Sequence, residues 1–165
     1  MKGIRDLALS GRRLFLRVDF NVPLDGAAVA DATRIIETLP TIRLAIEAGA
    51  RVICASHLGK PKGKPNPKLS LAPVAAEFAE KLGKPVRFAD DCVGPAVEAL
   101  ASALAPGEVL LLENLRFHPG EEANDPEFSR GLAALADVYV DDAFGAAHRA
   151  HASVVGVPAL VAEKG

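Results

Sequence analysis

Short apolar runs recur along the chain at 14–18, 51–56, 86–88, 108–112 and 137–140, and the gaps between them carry helical spacing. The first run, with Leu14, Phe15, Leu16 and Val18, reads as a strand covered on both faces, which need not alternate strictly. Pro23 stops it, because proline has no N–H for a ladder. Asp25-Gly26 then signals a turn. Asp31 can cap the next segment, where Ile35, Leu39, Ile42 and Ile46 recur at helical spacing until Gly49. Pro40 falls inside that pattern, so a kink is expected, or a turn with a helix starting near Pro40 and Arg34 on the connection.

Later segments repeat the alternation. Ser70 caps a helix over 71–82 that ends at Gly83, with Pro85 beyond. A further helix is predicted over 93–104, and Asp125 or Asn124 caps one running to about Ala136. The stretch 60–68, KPKGKPNPK, with three prolines, one glycine and four lysines, is an exposed loop. Strands alternating with helices over short connections imply an α/β fold: a three-layer α/β/α sandwich around a Rossmann-like, mostly parallel sheet. The 165 residues suit one domain. The apolar tail over 154–162 breaks off at Glu163-Lys164-Gly165, which suggests a piece of a longer chain.

Charge narrows the partners. Lys plus Arg is 19 against 21 for Asp plus Glu, a net charge of −2, so no overall positive field draws nucleic acid or an anionic membrane. The amino terminus has charges at Lys2, Arg5, Asp6, Arg12 and Arg13 and makes a poor signal peptide. Cys54 and Cys92 show no CxxC spacing and read as free thiols. A cytoplasmic protein is expected.

Candidate chemistry collects after the strands. Asp19 and Asn21 follow the first, His57 and Lys60 the second, Arg116 and His118 another, and His148, Arg149 and His151 the last. Ligands of open α/β sheets sit beyond the carboxyl ends of the strands, so these loops form one rim, which Arg34 can reach. Several Arg and Lys groups facing one cleft make a local site for a small polyanion. Arg17, inside a strand, reads as a snorkelling or paired structural residue rather than a ligand contact, and Asp141 and Asp142 read as satisfying loop amides rather than holding a metal. The segment 59–65, GKPKGKP, superficially resembles a nucleotide-phosphate loop, but its glycine spacing is one short and Pro65 stands where a hydroxyl should meet magnesium.

With those residues assembled, the sequence resembles the phosphoglycerate kinase family along essentially its whole length. The resemblance rests on 17–23 (RVDFNVP), 31–34 (DATR), 56–63 (SHLGKPKG), 112–120 (LENLRFHPG) and 142–153 (DAFGAAHRAHAS). It implies the amino-terminal, phosphoglycerate-binding domain of a two-domain glycolytic kinase. That enzyme moves a phosphoryl group between 1,3-bisphosphoglycerate and Mg-ADP to give 3-phosphoglycerate and ATP. The nucleotide, Mg-ATP or Mg-ADP, would be held by a carboxyl-terminal domain absent here, so no cofactor or metal is expected in this chain, and the fragment alone should be inactive. By matching position, Asp19 and Asn21 would hold the glycerate hydroxyl, and His57, Lys60, Arg116 and Arg149 would surround the phosphate. Arg34 would face the reacting carboxylate, while Phe20, Leu58 and Gly59 would supply turn backbone. Three positions depart from the family's pattern: Lys60 for a usual Arg, Asp141 for Asn and Ala146 for Thr. The alternative reading is a non-catalytic anion- or metabolite-binding module; a nucleic-acid binder using the lysine loop ranks far below, having no aromatic residues there.

Overall fold

The computed structural model describes residues 3–143 and 149–165; Ala146 and His148, singled out above, lie outside them. Six parallel strands make the central sheet: β1 (Arg13–Arg17), β4 (Arg51–Ala55), β5 (Val86–Phe88), β6 (Val109–Leu111), β7 (Val138–Asp141) and β8 (Glu163–Lys164). Their order is β5-β6-β4-β1-β7-β8, with the two-residue hairpin strands β2 (Leu24–Asp25) and β3 (Ala28–Val29) standing apart around the expected Asp25-Gly26 turn.

The central strands β1, β4, β6 and β7 send alternate side chains to two cores. Leu14, Leu16 and Val18 pack with Val52 and Cys54 under α1 (Thr33–Glu47) and α2 (Ala72–Leu82), through Ile35, Leu39, Ile42, Val74 and Phe78. Phe15, Ile53 and Leu110 face the other way, against α3 (Pro95–Ser102), α5 (Pro126–Ala133) and α6 (Val157–Leu160), through Val97, Ala101, Phe128, Leu132 and Val157. Phe15 stacks on Tyr139 with ring centroids 5.8 Å apart. Burying each such large side chain contributes about 1.5–3 kcal/mol. This is the three-layer α/β/α arrangement expected from the sequence.

The two layers follow from the crossovers. The connections β1→β4 and β4→β5 move one way across the sheet and place α1 and α2 on one face; the later connections move the other way and place α3, α5 and α6 opposite. Neighbouring strands therefore send their chains to opposite faces at two places, between β6 and β4 and between β1 and β7. At such points the loops diverge and a crevice opens beyond the carboxyl ends.

Several boundaries differ from the expectation. α1 runs unbroken through Pro40 and begins at Thr33, so Arg34 lies in its first turn rather than on a connection. Pro40 is exposed, and the carbonyl it leaves unpaired belongs to Ile36, itself half exposed, where water can serve it. Asp31 fixes the start by accepting from Thr33 N at 2.9 Å. α3 is shorter than 93–104 because Gly94, at φ 107°, and Pro95 set its first turn. A short α4 (Pro119–Glu122) has no counterpart in the sequence reading, while Asp125 caps α5 by accepting from Phe128 N at 2.9 Å, as expected. Part of the apolar tail is accounted for by packing: Val154, Val157 and Val161 are buried, and Val155 and Leu160 are exposed.

Candidate functional site

Beyond the carboxyl ends of β1, β4 and β6 lies a cavity of about 270 Å³, lined by Asp19, Asn21, Arg34, His57, Gly59, Lys60, Arg116 and Arg149. These are the seven candidate side chains, from segments up to 130 residues apart, together with the Gly59 backbone. An adjoining cavity of about 560 Å³ shares Lys60, Arg116 and Arg149 with it and adds Lys62 and Glu122. A larger one, about 680 Å³, contains none of the seven and no lysine or arginine. Cationic groups converge in the smaller pair and not in the larger cavity, so the smaller pair is the candidate anion site.

Hydrogen bonds between loops hold the rim in place. Asn21 Oδ1 accepts from Gly59 N at 3.0 Å, tying the loop after β1 to the loop after β4, and Phe20 N donates to Ser56 Oγ at 2.9 Å. Gly59 has φ 60°, and a Cβ there would come within 2.8 Å of Leu69 Cδ2, so the turn excludes a side chain. Asn114, fully buried after β6, accepts from Leu58 N at 3.3 Å and Arg116 N at 3.0 Å, and donates to Leu58 O at 2.8 Å and Leu69 O at 3.0 Å. Sequence reasoning missed Asn114 as the organiser of this corner. The available signal was an Asn directly following a strand end.

Asp19 is engaged rather than free. Arg34 Nη1 donates to its two carboxylate oxygens at 3.1 and 3.3 Å and to Asn21 O at 2.8 Å. All three bonds use Nη1, so Nη2 and Nε of this half-exposed arginine stay available to a ligand. Arg116 is mostly buried: its Nη1 donates to Gly59 O at 3.2 Å, and its Nε has no hydrogen-bond partner, with Glu122 the nearest carboxylate at 3.9 Å. Burial lowers its pKa, yet a guanidinium is so strong a base that it stays charged. Lys60 and Arg149 are exposed on the lip.

His57 takes its character from Arg17. The Arg17 side chain is fully buried at the end of β1, where Nε donates to Ser153 Oγ at 2.9 Å, Nη1 to Val18 O, and Nη2 meets His57 Nδ1 at 2.8 Å. It is therefore a paired structural residue, as expected. A guanidinium can only donate, so Nδ1 is the acceptor and the ring proton sits on Nε2, which makes His57 a neutral donor. Burial, then the charges of Arg17, Arg116, Arg149 and His151, push the His57 imidazole from 6.5 down to about 3.

That shift sets a pH dependence. The unfolded chain takes a proton on His57 below 6.5 while the folded one refuses it until about 3, so stability is full above pH 6.5 and falls as pH drops through that window. Each pH unit there costs about 1.4 kcal/mol. His151, lowered chiefly by burial, acts with the same sign; Asp141 and Asp142, raised chiefly by burial, act with the opposite one. Urea unfolding of wild type and His57→Gln between pH 6.5 and about 5 is expected to show a slope flatter by about one proton in the variant. Equal slopes would contradict the assignment.

The remaining candidates lie off the pocket. His118 Nε2 is 2.6 Å from Asp91 Oδ1, and His151 is buried. Asp141 ends β7 and accepts from Ala143 N at 2.8 Å, a loop amide as expected, whereas Asp142 bonds the Thr41 side chain in α1 instead.

A parallel α/β sheet whose carboxyl edge gathers four cations around one neutral histidine has the charge of a site for a small anion. A family model described as phosphoglycerate kinase matches residues 4–164, and the chain belongs to that family. It is 63% identical over 154 residues to a phosphoglycerate kinase of Moorella thermoacetica, covering 93% of this chain and 39% of that protein. Against one from Solibacter usitatus it is 60% identical over 163 residues, covering 96% of this chain and 41% of that protein. The solved phosphoglycerate kinase of Coxiella burnetii superposes with a TM-score of 0.87 at 40% identity, over 98% of this chain and 40% of that one. That of Pyrococcus horikoshii superposes at 0.90 and 32% identity, over 100% of this chain and 42% of that one. The chain thus spans about 40% of the length of the relatives it matches. No helix among the described residues is long and apolar enough to cross a membrane.

Proposed function

We propose that the chain is the amino-terminal, phosphoglycerate-binding domain of a two-domain phosphoglycerate kinase that interconverts 3-phosphoglycerate plus ATP and 1,3-bisphosphoglycerate plus ADP. The observation that carries this reading is the 270 Å³ cavity with Arg34, His57, Lys60, Arg116 and Arg149 on its wall. His57 Nε2, Arg116, Arg149 and Lys60 would bind the phosphate, and Asp19 and Asn21 the hydroxyl end. Arg34, through its free Nη2 and Nε, would face the carboxylate and offset charge building on the transferred group. The carboxylate is already ionised at neutral pH, so no general acid or base is required. A nucleotide with its magnesium would be held by the remainder of the kinase. Two free, buried thiols fit a cytoplasmic setting.

Calorimetric titration of the chain with 3-phosphoglycerate tests the reading. Binding that weakens with added salt, without ATP formation from 1,3-bisphosphoglycerate and ADP by the chain alone, is expected. Failure to bind 3-phosphoglycerate while binding other phosphorylated metabolites would replace it with the metabolite-binding module. Lys60 adds a sharper test, because an ammonium keeps the charge of a guanidinium without its fork. Lys60→Arg is expected to tighten 3-phosphoglycerate binding by roughly 3- to 10-fold; unchanged affinity would place Lys60 outside the phosphate contact.

A further inference from the structure

The cavity of about 680 Å³ next to the cationic pocket has the opposite electrostatics: Asp90, Asp91 and Glu113 line it, and no lysine or arginine does. On its wall Asp91, Cys92 and His118 offer a carboxylate oxygen, a sulfur and an imidazole nitrogen, all within 4.8 Å of one another. The three come from two loops at the carboxyl edge, one following β5 and one following β6; none lines the 270 Å³ cavity, and His118 alone of the three also lines the adjoining 560 Å³ one.

Their surroundings hold them in place. The His118 ring stacks on Phe128 with centroids 4.8 Å apart, and its Nε2 already meets Asp91 Oδ1 at 2.6 Å. Cys92 is a cavity-lining residue whose side chain is fully buried, and its thiol donates to Glu113 O at 2.9 Å. Asp91 is exposed, and its Oδ1 also accepts from Cys92 N at 2.6 Å.

We propose that Asp91, Cys92 and His118 form a binding site for a borderline-soft divalent cation, with Zn²⁺ the best fit, and that its fourth coordination position opens into the acidic cavity. A mixed S, N and O set suits zinc, whereas magnesium and calcium take oxygen ligands and would not select a thiolate. A tetrahedral shell spaces its ligand atoms about 3.5 Å apart, so the 2.6 Å His118–Asp91 pair opens on binding while wider separations, within 4.8 Å, close. On binding, the Cys92 proton leaves to solvent and its bond to Glu113 O is given up; the His118 Nε2 proton is also displaced, leaving the ring protonated on Nδ1 alone, and metal bonds to Asp91 and His118 replace their mutual hydrogen bond.

The test uses Co²⁺ as an optical stand-in, titrated into the 165-residue chain in a reductant that does not bind metal. A thiolate-to-cobalt charge-transfer band is expected, saturating at one equivalent and displaced by Zn²⁺. With only two cysteines in the chain, the assignment is direct: Cys92→Ser abolishes the band and Cys54→Ser leaves it. His118→Ala, which keeps Cys92 and its packing, weakens cobalt binding at least about tenfold. Absence of the band, its survival in Cys92→Ser, or unchanged affinity in His118→Ala would each overturn the site. The readout involves no phosphoglycerate, so it stands or falls separately from the proposed function.

Discussion

Glu121→Ala is expected to cost about 3–5 kcal/mol of folding stability, a large share of the about 5–15 kcal/mol a domain has. The carboxylate is fully buried; Oε1 accepts from Ser153 N at 2.8 Å and Oε2 from Ser153 Oγ. Ser153 Oγ in turn receives Arg17 Nε, so one serine hydroxyl links a buried anion to a buried cation. Burial lowers the Arg17 pKa, and Glu121 is the strongest charge opposing that shift. Removing it leaves the guanidinium with Asp141 and Asp19 as its remaining anions, while Ser153 N and Oγ lose their acceptor. Urea unfolding at neutral pH checks this, and a loss below about 1 kcal/mol would show that the buried pair is not coupled.

Arg116→Ala is expected to weaken 3-phosphoglycerate binding roughly 10- to 100-fold, the size of one lost charge-assisted interaction of about 1.5–3 kcal/mol. Arg116 combines a mostly buried position, a lining role in both cationic cavities and an Nε with no partner. Its fork is therefore held ready for an anion, unlike the exposed Lys60. Arg116→Lys should restore part of the affinity, since the charge returns without the bidentate geometry. Full affinity in the alanine variant would remove Arg116 from the site. Calorimetry at fixed ionic strength reads both variants.

Much of this arrangement can be read from the chain because local signals agree with the global fold. The runs at Leu14, Arg51 and Val109 are apolar enough to demand cover on both faces, and parallel strands then deliver every following loop to one edge. That reasoning brings Asp19, His57, Arg116 and Arg149 together without coordinates. The start of α1 is obscured in sequence because Pro40 looks like a break in any local window. Its cost is small here, since the unpaired carbonyl faces solvent. Asn114, Glu121 and Ser153 are hidden for a different reason. Their partners lie far along the chain, 56 residues from Asn114 to Leu58, 32 from Glu121 to Ser153 and 136 from Arg17 to Ser153. No periodicity or motif spacing exposes a buried polar network of that span.

Loops following separate strands act as one anion pocket, and amide chemical shifts of the chain during titration with 3-phosphoglycerate test this. Asn21, Arg34, Leu58, Gly59, Arg116 and Arg149 are expected to shift together with one binding constant, while amides lining the acidic cavity, such as Asp90 and Asn66, stay in place. Shifts confined to a single loop, or concentrated around Asp90 and Asn66, would contradict it.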